Sequence, residues 1–210
     1  MKKLILIFLM IYSFDSYSQN KDYKFYNEEG YQISRKEFYN KKENFKNFPL
    51  YFENDTVRFG VLFHREKKGV LSDSTFTSLK NYLNTLKSEH INSKDIIVIN
   101  FLTGVPVAEQ IKKSKTSWNI FDRNYLRKLN KITDVSHFWI SSLEKEKLKY
   151  FYSNKVNWQK DTDEIIRKIF FPHETTYGYY IIINPEGKYY YSLGEYGKYN
   201  VWEKTEEMTN

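Results

Sequence analysis

Residues 96–110 read IIVINFLTGVPVAEQ, and this stretch decides the fold. The mainly apolar segment over 95–101 predicts a strand that is buried on both faces, as strands of parallel sheets are. Gly104 then marks a tight turn, and Pro106 suits the first position of a helix. A buried strand that turns directly into a helix is typical of an α/β protein.

Hydrophobic period and turn residues outline the rest of the chain from Val57 onward. They predict a strand from Val57 to His64, a helix over 72–87, helical sequence up to Lys131 with a break near 119–122, a strand over 135–140, a helix over 162–170 and a hairpin over 178–193. Ser141 to Glu144 forms a capping box and predicts a further helix towards Tyr152. This order predicts a mixed five-stranded sheet, parallel in its first three strands, with helices on both faces.

The segment that precedes Val57 has its own local structure. Residues 25–33 read as a short hairpin, and Ser34 with Glu37 forms a capping box that opens a helix over 34–45. Residues 19–56 are too few to hold an independent core. We therefore expect them to form a hairpin-helix extension of the domain over 57–210.

The first residues have the pattern of a secretory signal. Lys2 and Lys3 precede an apolar run over 4–14, and small residues at Ser16 and Ser18 predict cleavage after Ser18. The apolar run is shorter than the roughly 20 residues that a membrane-spanning helix needs. Residues 1–18 are therefore a predicted signal peptide of a periplasmic or secreted protein. Because the chain has no cysteine, it is not predicted to be a lipoprotein.

The chain carries a net charge of +7, which raises the question of a nucleic-acid partner. Only six of its 33 basic residues are arginine, the side chain that recognises phosphates and bases best. The basic balance is therefore interpreted as a contribution to solubility, and no nucleic acid is predicted as a partner.

Two stretches resemble the thioredoxin-like superfamily. The strand over 94–103, KDIIVINFLT, is similar to the strand that ends in V-V-N-F-W-A in exported members of that family. Residues 178–188, GYYIIINPEGK, are similar to the family hairpin of the form P-T-x-hydrophobic run-D-x-x-G-K. With the order of elements, the resemblance covers 57–210 and implies a thioredoxin-like three-layer sandwich.

The departures from that family concern its chemistry. Residues 105–108, Val-Pro-Val-Ala, occupy the place of the redox cysteines, and the family's cis-proline falls on Gly178. Alkyl side chains are not nucleophiles, so thiol–disulfide exchange and thiol-based peroxide reduction are excluded. The resemblance therefore implies a redox-inactive scaffold that uses no cofactor.

Three functions remain open. The first is binding of a protein or peptide partner of the cell envelope in the groove where the family has its active site, which is lined here by Thr103, Gly104, Val105, Pro106, Tyr177, Gly178 and Tyr179. The second is a hydrolase or metal-dependent enzyme that uses His64, His137 or His173, although no motif with metal-ligand spacing is present. The third is an accessory role in which 19–56 docks to a larger assembly.

The aromatic sequence over 188–202, KYYYSLGEYGKYNVW, admits two interpretations. Exposed tyrosine and tryptophan rings would form a contact surface. Alternatively, the tail that contains Trp202 folds back as the last helix and buries one face of the hairpin, and we expect this second arrangement.

Overall fold

The computed structural model describes residues 21–43, 45–87, 90–104, 116–144, 146–151, 155–171, 173 and 178–209. The predicted signal peptide and the predicted helix that opens at Pro106 lie outside the described residues. The described chain forms two compact units, one up to Glu43 together with Pro49–Phe63, the other from Phe45 to Phe48 and from His64 onward. No helix of the described part has the length and apolar character needed to cross a bilayer.

In its described residues, the first unit is a small sheet with one helix. Its elements are β1 (Asp22–Tyr26), β2 (Gln32–Ile33), α1 (Arg35–Glu43), β3 (Asn47–Glu53) and β4 (Val57–His64), with strand order β2-β1-β4-β3. The predicted capping box is present, since the Glu37 amide donates to Ser34 Oγ at 3.1 Å. Phe38 of α1 packs on Phe25 and Leu62 to form the core of this unit.

The structure corrects the prediction that the strand beginning at Val57 is the first strand of the main sheet. Val57 pairs instead with Asp22 of β1, and the two strands run parallel. The main sheet receives β5 (Glu66–Val70), a strand that the sequence analysis did not predict. Gly69 lies opposite Tyr189, and a Cβ at this position would approach the Tyr189 hydroxyl to 2.6 Å. The glycine is therefore a close-packing residue inside a strand.

The second unit contains the main sheet. Its remaining elements are α2 (Asp73–Leu86), β6 (Ile96–Leu102), α3 (Asn124–Ile132), β7 (Val135–Ser141), β8 (Gln159–Lys160), α4 (Ile165–Phe170), β9 (Gly178–Ile183), β10 (Lys188–Leu193) and α5 (Lys198–Thr209), with short 3-10 segments at Asn119–Phe121, Lys147–Phe151 and Thr162–Glu164. The strand order is β5-β10-β9-β6-β7-β8. The pairs β6–β7 and β7–β8 are parallel, and the other three pairs are antiparallel.

The structure thus confirms an α/β protein with mixed sheets, and it corrects the predicted strand count. Among the residues that the structure describes, the main sheet has six strands, not five, because β5 and β8 flank the four strands that the sequence analysis identified. β8 has only two residues, too few to produce a period-2 pattern.

The predicted helix after Ser141 is also wrong, since the described residues contain only the 3-10 segment there. Ser141 ends β7, and its hydroxyl donates to the Leu102 carbonyl at 2.9 Å.

Helices pack on both faces of the main sheet. Ile97, Ile99 and Phe101 of β6 contact the side on which α2 and α4 lie. Ile96 and Val98 contact the side of α3 and α5. All seven residues of β6 are buried, which confirms the prediction of a strand covered on both faces.

The tail takes the second of the two arrangements considered for it. α5 contributes Val201 and Trp202 to the same cluster as Tyr190 and Tyr196, and both tyrosine side chains are buried. The tail helix therefore covers one face of the terminal hairpin, as we expected.

Candidate functional site

The end of β6 and the start of β9 lie side by side. Leu102 is paired with Gly178 in the antiparallel register, and Thr103 and Gly104 follow Leu102 directly. This pairing places Thr103 one residue and Gly104 two residues beyond the partner of Gly178. Three other residues of the predicted groove, Val105, Pro106 and Tyr177, lie outside the described residues.

Trp118 covers Gly178. A Cβ on Gly178 would lie 2.9 Å from Cη2 of the Trp118 ring and 2.9 Å from the Phe101 carbonyl oxygen, so only glycine fits there without a shift. The indole Nε1 donates to the Tyr196 carbonyl, and the two rings meet edge to face at 4.8 Å. An indole from the chain itself therefore packs at the position where the sequence alignment placed the family's cis-proline.

Tyr179, the seventh predicted groove residue, points away from this surface. Its ring is fully buried and stacks on Phe101, with centroids 5.1 Å apart and planes 7° apart. Both rings belong to the core on the side of α2 and α4. Tyr179 therefore brings only its backbone to the end of the groove.

A partly exposed group of four aromatic rings extends from Trp118 across the end of the sheet. We call Trp118, Phe121, Trp139 and Trp158 the tryptophan surface. Phe121 stacks on Trp139 at 5.3 Å, Trp139 meets Trp158 at 5.4 Å, and Trp118 meets Phe121 at 5.8 Å. Partly exposed tryptophan offers a large, rigid contact area and is enriched at protein interfaces.

A pocket of about 220 Å³ opens beside the tryptophan surface. Its lining residues are Thr116, Ser117, Trp118, Phe121, Asp122, Lys155 and Val156. The Asp122 carboxylate accepts a hydrogen bond from Lys198 Nζ at 2.7 Å, which ties α5 to the pocket wall. Ligand pockets for small molecules usually exceed about 300 Å³. This one has the size for a single side chain of a partner.

A buried polar network lies beneath the tryptophan surface and is centred on Asn100. The Asn100 amide Nδ2 donates to Tyr125 Oη at 2.8 Å and lies 2.6 Å from His137 Nε2. Asn100 Oδ1 accepts from the Tyr196 hydroxyl at 2.8 Å. This network joins β6, β7, α3 and the segment before α5 through one amide.

The members of the network are held in their neutral forms. Burial, followed by the nearby Lys87 ammonium, lowers the pKa of His137 to about 3. Burial also raises the pKa of Tyr125 and the pKa of Tyr196 above the ordinary value of 10. A neutral His137 accepts a hydrogen bond from Asn100 through Nε2, and none of these three groups changes charge near pH 7.

The other histidines of the enzyme hypothesis lie on separate elements. His64 ends β4 and His173 follows α4, and both are exposed. Within the described ranges, no group of three or more histidine, aspartate, glutamate or cysteine side chains could hold a metal ion. The described geometry offers nothing specific to support hydrolytic or metal-dependent chemistry at these residues.

Comparison with protein-family models gives no match to this chain, and comparison with curated proteins finds none that is significantly similar in sequence. The class of protein therefore has to be proposed from the fold and from the geometry of this site.

Sequence reasoning missed the tryptophan surface and the network. Asn100 left a signal, since it is the one amide in the otherwise apolar strand IIVINFL. A polar residue in a strand buried on both faces requires partners from elsewhere. The four rings of the tryptophan surface left no signal in the sequence, because they come from three separate regions of the chain that only the fold brings together.

Proposed function

We propose that this chain is an exported, redox-inactive, thioredoxin-like protein that binds a protein or peptide partner of the cell envelope. The observation that carries the proposal is the tryptophan surface with its side-chain-sized pocket, next to the end of β6. Binding is assigned to this surface together with Thr103 and Gly104.

Topology supports the thioredoxin-like part of the proposal. The order β7-β6-β9-β10 has two parallel strands followed by an antiparallel hairpin, and the helix α5 comes after the hairpin. Helices on both faces are consistent with a three-layer sandwich. β5 next to β10 and the short β8 are additions to that arrangement.

The redox-inactive part rests on chemistry and on packing. With no cysteine in the chain, no thiolate is available to attack a disulfide or a peroxide. The Trp118 ring against Gly178 fills space at the end of the sheet with apolar surface. Such a surface favours recognition of a partner over covalent chemistry.

Export is tested on the protein from its native host. We expect the mature chain to begin at Gln19, because the small residues Ser16 and Ser18 suit signal peptidase cleavage. N-terminal sequencing of the protein from the periplasmic fraction and from the medium measures this. A chain that begins at Met1 and stays in the cytoplasm would contradict export.

Partner binding is tested by a photo-crosslinking amino acid placed at Ser117, which is exposed in the pocket wall. We expect one predominant crosslinked partner in the native host, identified by mass spectrometry. The same crosslinker at Asn81, on the exposed side of α2, is the matched control on the opposite face of the sheet.

The substitution Trp158→Leu sharpens that experiment, because it removes the indole but keeps an apolar side chain in the tryptophan surface. We expect the crosslink from Ser117 to fall at least fivefold, with unchanged far-ultraviolet circular dichroism. A crosslink of equal yield at Asn81, or one that Trp158→Leu leaves unaltered, would rule out this surface as the site.

A further inference from the structure

β7 is an edge strand of the main sheet over most of its length. On one side it pairs with β6 from Val135 to Ser141. On the other side β8 pairs only with Ile140 and Ser141. In the part of the chain that the structure describes, no strand lies beside residues 135–139 on that side.

The backbone of this segment directs hydrogen-bonding groups outward. The Ile96 amide donates to the Asp134 carbonyl at 3.0 Å, and the Asp161 amide donates to the Ser141 carbonyl at 3.0 Å. Because alternate residues of a strand direct their backbone groups to opposite neighbours, Val135 and His137 face the same side as Ser141. Across the described ranges, no backbone hydrogen bond reaches the outward N–H and C=O groups of Val135 and His137.

The two edges of the main sheet differ in how well their side chains protect them against pairing with another strand. The other edge strand, β5, has the sequence EKKGV, and its first three residues are exposed and charged. Charged side chains on an edge oppose pairing with another chain. Residues 135–139 read VSHFW and include no lysine, arginine, acidic residue, proline or glycine. The β5 edge is therefore protected against pairing with another strand, whereas the β7 edge is able to pair.

We propose that the β7 edge receives an extended segment of an acidic protein partner, which adds to residues 135–139 as an antiparallel strand. Strand addition of this kind obtains its affinity from main-chain hydrogen bonds. A five-residue overlap spans about 16 Å, the length of an ordinary strand. This inference goes beyond the tryptophan surface. Trp139 belongs to both sites, but strand addition uses the backbone of β7 and does not depend on binding at the rings.

Charge selects an acidic partner over a second copy of this chain. The Lys87 ammonium lies 4.7 Å from the centroid of the Phe138 ring, beside the middle of β7. Edge-to-edge pairing of two copies about a two-fold axis would bring two such ammonium groups to one face, on chains that are both basic, with +7 over the full sequence. Like charges across an interface disfavour association, and opposite charges favour it.

The start of β7 leaves room for the added strand to continue. A cavity of about 620 Å³ is lined by Val135 and Ser136, by the ammonium groups of Lys87 and Lys94, and by the carboxylates of Asp95 and Asp134. Of the carboxylates in its wall, that of Asp95 accepts a hydrogen bond from the Ser136 hydroxyl at 2.6 Å. The carboxyl end of an antiparallel strand would pass Val135 and enter this space near the two lysines.

The test uses purified protein and synthetic peptides, so it is independent of the crosslinking result. The first probe is a seven-residue peptide of alternating threonine and valine that ends in two glutamates. The second has N-methyl groups on alternate backbone amides, which prevents strand pairing, and the third ends in two lysines. Amide hydrogen exchange at Val135 and His137 is measured by nuclear magnetic resonance at millimolar peptide.

We expect the glutamate peptide to slow exchange of both amides at least tenfold, the N-methylated peptide to have no effect, and the lysine peptide to bind at least fivefold more weakly at low salt. Unchanged exchange, or equal protection by the N-methylated peptide, would overturn strand addition. Slowing that depends on protein concentration and needs no peptide would show that a second copy occupies the edge.

A pair of proline variants checks that the peptide binds at the β7 edge. Val135→Pro removes an outward N–H at the first position of β7, where proline is tolerated best, and we expect the dissociation constant of the glutamate peptide to rise at least tenfold. Val70→Pro at the end of β5 is the matched control and should leave the dissociation constant unaltered. Equal weakening by both variants would contradict the assignment to β7.

Discussion

Replacing Asn100 with leucine is expected to lower the free energy of unfolding by about 3 kcal/mol. The substitution keeps the side-chain volume but removes an amide that bonds to Tyr125 and Tyr196 and lies 2.6 Å from His137 Nε2. Leaving a buried polar group without its partner costs about 1–3 kcal/mol, and here three groups are affected. Urea denaturation of Asn100→Leu and of the unmodified protein measures the difference.

A double-substitution cycle separates the hydrogen bond from a packing defect. Tyr196→Phe removes the hydroxyl that Asn100 accepts from. If the cost of Asn100→Leu lies in orphaned hydroxyls, Tyr196→Phe should recover about 1 kcal/mol in the leucine background and be destabilising in the original one. Additive losses in the two backgrounds would mean that the amide does not organise this part of the core.

Acidification is expected to destabilise the protein through His137. The pKa of His137 is about 3 in the folded chain and near 6.5 when the imidazole is in water. Below pH 6.5 the unfolded chain therefore binds a proton that the folded chain does not bind. The free energy of unfolding should fall by about 1.4 kcal/mol per pH unit down to pH 3, or about 2 kcal/mol between pH 7 and pH 5.

The variant His137→Gln isolates this contribution from the titration of carboxylates. It lacks the titrating imidazole, so its free energy of unfolding should fall by about 2 kcal/mol less than that of the unmodified protein between pH 7 and pH 5. His64→Gln is the control, because His64 is exposed at the end of β4 and has no part in the network. Identical pH profiles for the His137 variant and the unmodified protein would show that the imidazole titrates freely in the folded state.

The network also connects the tail to the proposed binding surface. Tyr196 donates its hydroxyl to Asn100 of β6 and accepts the Trp118 indole N–H at its carbonyl. Lys198 of α5 then bonds to Asp122 in the pocket wall. The position of Trp118, and with it the tryptophan surface, therefore depends on the docking of the last segment of the chain.

Local sequence patterns were sufficient to predict most of the helices and strands of the second unit. The apolar run of β6, the spacing of Phe76, Leu79 and Leu83 in α2 and the turn before Lys188 each depend on neighbours within a few residues. Strand partners were harder to predict. The alternation from Val57 predicts a strand, but β4 pairs with β1 through residues 35 positions away, and its own sequence does not encode that choice.

The candidate site was predicted only in part, for the same reason. Gly178 pairs with Leu102, which Thr103 and Gly104 follow directly, and this much was predictable because the strand β6 and the hairpin that begins with β9 were both recognisable. The groove as a binding site stays a prediction. The indole that lies over Gly178 comes from Trp118, in a segment without regular period. Its contact with Gly178 exists only once β9 has packed beside β6.

The sequence by itself determined that this chain is an α/β protein without thiol chemistry, because hydrophobic period and cysteine count are local properties. Only the tertiary structure decided which strand lies at each edge, that Asn100 finds its partners on β7, on α3 and in the segment before α5, and that Trp118, Trp139 and Trp158 form one surface. These features depend on pairing and burial between residues that are distant in the chain, where the gain in packing comes only after the whole sheet has formed.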